Sequence, residues 1–492
     1  MRSPIDLAAR WPRALSLSLC LCASLSLPTA CDSEGDGAGG AADAGGAGGA
    51  GGAGGAGGAG GAGGGSAGGP WGERALIEGG GVGRQARLAV SEGGRVAIAY
   101  WAEQGVEGEA CEEIEVEEPP AKVRWSLRYA ELGAAGWSAE EISDVLLLGI
   151  PVGTGLTFGP DETPIVPALT GDPEPMIRYC GSNDLALFSR DDTGRWSDEL
   201  VVADSDEALT DEPASDYGYV VGYWPAFAQR GAQQLVVWQD VHGGSLQRDD
   251  LARADLEVAR RSGGGAWEIE ALDWGEGAGI YNQALIDEAG REIVLYYIPV
   301  QASQGERNRL GLWAARRGEA GWERVQLHAG AIEEGVSAVT HPESGALYVA
   351  YYSPEEERAT LLELPAGAPF AEVESWSRTP LGEGGYREGI HPSLAIDGAG
   401  RLALAWYRCA RLGEAECVAQ RDAVIFSWDP GDGEGWLYEE VERGGEGLCG
   451  QYPNLIFTPT GEAVVTWRCS RPEGGGNEFS YRLEAATRAP LR

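Results

Sequence analysis

The chain has 492 residues and a formal net charge of −39 at pH 7, from 76 acidic and 37 basic side chains, with Lys122 its one lysine. That balance repels phosphate backbones and anionic headgroups, which argues against nucleic acid and against a membrane surface as partners of the folded part. Hydrophobic residues make up 43%, the apolar content of a globular protein, but some 420 residues exceed a typical single core and call for a modular one.

In chain order, residues 1–30 read as an export signal. Arg2, Arg10 and Arg13 precede an apolar run from Ala14 to Leu27, about 14 residues and short for a bilayer span. The run ends in Leu27-Pro28-Thr29-Ala30-Cys31, which resembles the lipobox of bacterial lipoproteins. The resemblance implies lipidation of Cys31, a place in the cell envelope facing the periplasm or the exterior, and membrane attachment through the lipid alone. Pro28 departs from the aliphatic residue usual at that position, so ordinary signal cleavage stays open. Residues 31–69, almost entirely Gly and Ala from Asp36 on and mostly as Ala-Gly-Gly, are expected to form a disordered tether with a typical reach of roughly 30–35 Å.

The third segment, residues 70–492, carries a repeat. Trp71, Trp137, Trp196, Trp267, Trp322, Trp376 and Trp436 recur every 54 to 71 residues, most of them after a Gly-containing turn. Each opens a run such as WSAEEIS or WEIEALD whose bulky and polar residues alternate as in a half-buried strand. Between the tryptophans stand paired strands joined by tight turns, as in HPSLAIDGAGRLALAWYR and YPNLIFTPTGEAVVTWR, then a third strand such as DAVIFSW. Four antiparallel strands per unit predict an all-β fold, a seven-bladed β-propeller of four-stranded blades. PWGERALIE precedes the first unit and no tryptophan strand follows the seventh. The N-terminal strand is therefore expected to close the last blade, leaving no long edge strand. The alternative is an open array or two sandwiches.

The turn SRDDTGRW, Ser189 to Trp196, is similar to the Asp-box of sialidase-like propellers, and SWDPGDGEGW, Ser427 to Trp436, is a looser copy. The Asp-box is a folding element, so the resemblance implies fold and not catalysis.

Cys20 and Cys22 leave with the signal. Cys111, Cys180, Cys409, Cys417, Cys449 and Cys469 remain in an oxidising compartment and allow up to three disulfides. The expected pairs are Cys409–Cys417, Cys449–Cys469 and Cys111–Cys180. All six fall on the rim that carries the long connections between second and third strands, which is where binding usually resides.

On that rim the mouths of the inner strands offer Trp224, Tyr281, His391 and Tyr452, and the ends of second strands add Asp240, Arg408 and Arg468. Aromatics with a few Arg and acidic groups suit stacking on sugar faces or gripping a peptide. Packing between blades is the competing reading, and it is favoured for Tyr297, Tyr352 and Trp101. The acidic runs at Asp204 to Asp216 and in GEACEEIEVEEPP lack the ligand spacing of a calcium loop and read as solvated, with calcium the sharper alternative and no other cofactor implied.

Catalytic signatures are sparse. The four histidines are His242, His328, His341 and His391, and no G-x-S-x-G appears. Arg408 and Arg468 match part of the arginine triad of sialidases, but the early Arg-Ile-Pro-type motif is missing. The expectation is a monomeric, non-catalytic envelope lipoprotein that binds a glycan or protein ligand. A sialidase-like glycoside hydrolase or polysaccharide lyase, and a purely structural lipoprotein, are the alternatives.

Overall fold

The computed structural model describes residues 70–106, 122–148, 151–171, 183–202, 220–241, 254–299, 309–382, 387–409, 417, 421–444, 447–472 and 479–491. The signal, Cys31, the tether, both acidic runs, Cys111, Cys180 and His242 lie outside the described residues.

The described residues form an all-β molecule of four-stranded antiparallel sheets. An N-terminal strand, β1 (Ala75–Gly79), precedes the first group, β2 (Val82–Val90), β3 (Val96–Val106), β4 (Lys122–Gly133) and β5 (Gly136–Leu148). The second is β6 (Thr157–Phe158), β7 (Pro164–Gly171), β8 (Asn183–Arg190) and β9 (Trp196–Val202). The third is β10 (Val220–Arg230), β11 (Gln233–Val241), β12 (Asp255–Ser262) and β13 (Glu268–Asp273). The fourth is β14 (Ile280–Ile286), β15 (Glu292–Ile298), β16 (Gly311–Gly318) and β17 (Gly321–Ala329). The fifth is β18 (Glu333–Thr340), β19 (Leu347–Ser353), β20 (Arg358–Leu364) and β21 (Ser377–Pro380), the last entered through a single 3-10 turn, Val373–Ser375. The sixth is β22 (Glu388–Ile396), β23 (Leu402–Arg408), β24 (Ala423–Trp428) and β25 (Leu437–Arg443). The seventh, β26 (Cys449–Phe457), β27 (Ala463–Pro472) and β28 (Phe479–Arg488), takes its fourth strand from the other end of the chain. β1 pairs antiparallel with β28, Ala75 opposite Ala485 and Gly79 opposite Arg482. Single parallel bridges, Val220 to Asn183 and Arg358 to Glu388, tie the second group to the third and the fifth to the sixth.

Strand periodicity explains the packing. Alternate side chains of a strand leave opposite faces, so a strand buried on both faces reads as an unbroken apolar run. EIVLYYI of β15 is buried at every position. Its Ile293, Leu295 and Tyr297 join a core with Val349 and Tyr351 of the fifth group, while Val294, Tyr296 and Ile298 join one with Leu235 and Val237 of the third. β23 divides in the same way, Leu404 and Trp406 toward the fifth group and Ala403 and Ala405 toward the seventh. Each group thus shares a core with the next. The last shares one with the first, where Ile77, Leu483 and Ala485 meet Ile98 and Tyr100. Fourth strands such as β25, LYEEVER, are largely exposed.

Among the described residues no helix is long and apolar enough to cross a membrane.

Candidate functional site

The first strand of six groups has the same irregularity near its start. In β22 the pairing with β23 slips between Glu388 and Ile390 and again between Ile390 and Ser393. β2, β10, β14, β18 and β26 slip at the corresponding place. Such slips are β-bulges, which re-aim side chains. The bulge residue has a positive φ every time: Gln85 (51°), Trp224 (51°), Tyr281 (58°), Gly335 (102°), His391 (54°) and Tyr452 (51°), with Gly153 (83°) at the matching place ahead of β6. Five of these seven are not glycine, and a bulky residue in that region is a genuine outlier of the kind that clusters at binding sites. Two residues earlier, glycine is required by space as well as by φ. A Cβ on Gly389, at φ +116°, would lie 2.4 Å from Ala359 N.

These bulges face one cavity. Its lining takes a segment from all seven groups: Gln85 to Arg87, Gly153-Thr154, Trp224-Pro225, Tyr281-Asn282, Gly335-Val336, His391-Pro392 and Tyr452 to Asn454. Hydrogen bonds between neighbouring segments hold them in place. Gly153 N donates to Gln85 Oε1 (2.6 Å), Asn282 Nδ2 to Trp224 O (3.1 Å), Leu394 N to Ser337 Oγ (2.9 Å) and Leu455 N to Ser393 Oγ (3.0 Å). Trp224 meets Tyr281 edge to face at 4.7 Å between centroids, and His391 and Tyr452 lie 4.0 Å apart. Behind them Tyr297 stacks on Tyr281 at 5.9 Å and Tyr407 on His391 at 6.3 Å. Arg84 Nε donates to the Tyr452 hydroxyl (3.3 Å). Arg87 is half-buried in the lining, and burial pushes its pKa down to about 10, so it stays charged at neutral pH.

The seven residues expected at the mouth divide into two sets. Trp224, Tyr281, His391 and Tyr452 line the cavity together; Arg408, Arg468 and Asp240 are not in its lining. Arg408 pairs with Glu440 at 2.8 Å on the outer strand of its own group. Arg468 donates to Val82 O (3.2 Å) and lies 3.4 Å over the Tyr481 ring. Asp240 is 1% exposed; Glu257 close by has its carboxyl pushed up to about 9, by burial first and then by the Asp240 and Asp255 charges. Tyr297, Tyr352 and Trp101 are buried between sheets. Trp101 Nε1 donates to Gly153 O (3.0 Å) and so supports the lining from behind. His328 lies in β17, and His341 Nδ1 accepts the backbone N–H groups of Glu343 and Ser344 to shape a turn.

Sequence reading missed Gln85, Arg87 and Asn282. A signal for them existed: the units align as GRQA, GYWP, GIYN, GIHP and GQYP, a glycine two residues before the bulge. The Asp-box turn has the expected form, with Asp191 Oδ1 accepting from Thr193 N, Thr193 Oγ1 and Arg195 N. The disulfides Cys409–Cys417 and Cys449–Cys469 are formed, the second across a register pair of β26 and β27. The expected third falls outside the described residues.

No protein family and no curated protein matches the sequence. Among solved structures the chain is similar to a protein of unknown function from Dyadobacter fermentans, at 12% identity and TM-score 0.41, over 84% of this chain and 98% of that one. It is similar to an α-L-arabinofuranosidase of Fusarium graminearum at 11% identity and TM-score 0.40, again over 84% and 98%. The NanB sialidase of Streptococcus pneumoniae gives 10% identity and TM-score 0.43 over 86% and 71%. At that distance no activity carries over.

Proposed function

We propose that the chain is an exported lipoprotein, anchored through Cys31, whose folded part is a closed seven-bladed β-propeller that binds a glycan or protein ligand without catalysis. The observation that carries the reading is the cavity where one segment of every group converges, its bulge positions held by Gln85, Trp224, Tyr281, His391 and Tyr452 at positive φ. A conformation that costs of order 1–3 kcal/mol per residue, repeated around one opening, is more economically explained by recognition than by packing. The unbroken succession of shared cores, last group to first, supports ring closure.

Binding is favoured over hydrolysis by the composition of the lining. Among the described residues it includes Arg, His, Tyr, Trp, Asn and Gln but no Asp or Glu, whereas glycoside hydrolysis uses two carboxylates flanking the bond. The aromatic edges supply stacking area, and the polar groups between them fix orientation.

The test is a glycan and envelope-protein array probed with the wild-type chain and with the combined Trp224→Ala, His391→Ala and Tyr452→Ala variant, with product analysis of every ligand captured. Capture by the wild type, loss by a folded variant and unchanged ligand are expected. Cleaved ligand, or full capture by the folded variant, would overturn the reading.

A further inference from the structure

We propose that Arg87 is the centre of a site for one monovalent anion at the core of the seven-segment cavity. The chain carries 76 acidic residues, so an arginine set among the sheets has carboxylates to meet. Others do meet them: Arg128 pairs with Glu78 at 3.1 Å, Arg190 with Glu140 at 3.0 Å, and Arg488 with Glu439 at 2.7 Å. Arg87 does not. Among the described residues no hydrogen bond, ion pair or ring contact engages its side chain. A guanidinium withdrawn from bulk water without a counter-charge is strongly unfavourable, and an external anion removes that cost.

Size and charge narrow the ligand. The cavity has about 570 Å³ of solvent-open space, room for a small anion beside Arg87. One guanidinium balances one negative charge; a divalent anion would leave an excess charge in a molecule already at −39. The planar fork of Arg matches a carboxylate in two parallel hydrogen bonds, and a halide can sit in the same fork. The anion is therefore a halide or small carboxylate, free or carried at the end of a ligand.

The inference uses the cavity of the recognition reading, but its test does not need that reading's ligand. Thermal melts of the wild-type, Arg87→Gln and Arg95→Gln chains would be compared in sodium chloride, formate, acetate and sulfate at equal ionic strength. General salt effects shift all three alike, so the difference between chains is the readout. Raising chloride or formate from about 1 to about 100 mM should lift the wild-type midpoint several degrees more than that of Arg87→Gln. Without added anion Arg87→Gln should melt at or above the wild type, since an unpaired charge has gone. Arg95→Gln loses its pair with Glu131, and it should melt lower yet keep the anion response.

Saturation by chloride and formate alone marks a resident free ion; saturation by acetate as well marks a seat for a ligand's carboxylate. Equal responses of wild type and Arg87→Gln, or a response to sulfate only, overturn the site. If Arg87→Gln fails to fold, chloride NMR line broadening on the wild type, displaced by formate, decides: broadening that formate leaves unchanged overturns the site. Array capture by the wild-type chain whose melt shows no anion response sinks this assignment alone. Anion response without any array ligand sinks only the recognition reading.

Discussion

Tyr281 has φ +58°, a conformation that L side chains avoid, and its ring is wedged between Trp224 and Tyr297. Two effects there can be separated by substitution. Tyr281→Ala and Tyr281→Gly both lose the ring contacts, but only glycine releases the backbone. The Gly variant should therefore be the more stable of the two by about 1 kcal/mol in urea unfolding, the reverse of their order in an ordinary strand. An Ala variant as stable as the Gly variant would mean that this residue is not held at positive φ. The aromatic members of the site were legible in the sequence because Trp, Tyr and His before Pro or Asn stand out at the start of a strand. Arg87 was not legible. Its neighbours in the alignment, such as Ala226, Ser337 and Ser393, are small, and the lack of a partner is a property of three-dimensional surroundings that composition does not carry.

At the scale of the strand, the recurring tryptophans join a clamp between neighbouring sheets. Trp196 Nε1 donates to Glu140 Oε1 (2.9 Å) of the preceding group, Trp322 to Glu270 (3.0 Å) and Trp71 to Glu439 (3.1 Å). An arginine of the same group as each tryptophan reaches the same carboxylate: Arg190, Arg317 and Arg488. Glu199 is gripped by Arg261 (2.9 Å) in the same sense, with Trp267 under the guanidinium. All four acids stand three residues after a tryptophan, as Trp-x-x-Glu at Trp137, Trp196, Trp267 and Trp436. The tryptophan period was legible at once. The acid was not, because on an exposed outer strand an alternating Glu reads as solvated surface. Burial pushes the Glu270 carboxyl up, but hydrogen bonds from Trp322, Arg260 and Arg317 outweigh it and hold the net value below the usual range. A depressed folded-state pKa gives stability that is present above the unfolded value and lost as pH falls through the folded one. Glu270→Gln should accordingly cost about 1–2 kcal/mol at pH 7, and the gap to wild type should narrow as the medium is acidified. Urea titrations at pH 7 and in the acid range measure it; a gap that stays constant with pH would assign the loss to shape and not charge.

For the whole molecule, the central proposal is that the sheets close into a ring, which would account for one segment of every group lining a single cavity. The orphan strand before the first unit and the missing strand after the last made pairing of the two chain ends legible in advance, and β1 on β28 bears it out. The connections that differ most between units, with Cys111 and Cys180 among them, fall outside the described residues. Their irregular composition gives no periodicity to read. Amide hydrogen exchange tests closure most directly. In an open array of repeats the terminal units fray, whereas in a ring no unit is terminal. The account predicts that β3 of the first group and β27 of the last exchange as slowly as β15 and β19 in the middle of the chain. Graded loss of protection toward both ends, with β1 and β28 opening independently of the rest, would contradict it.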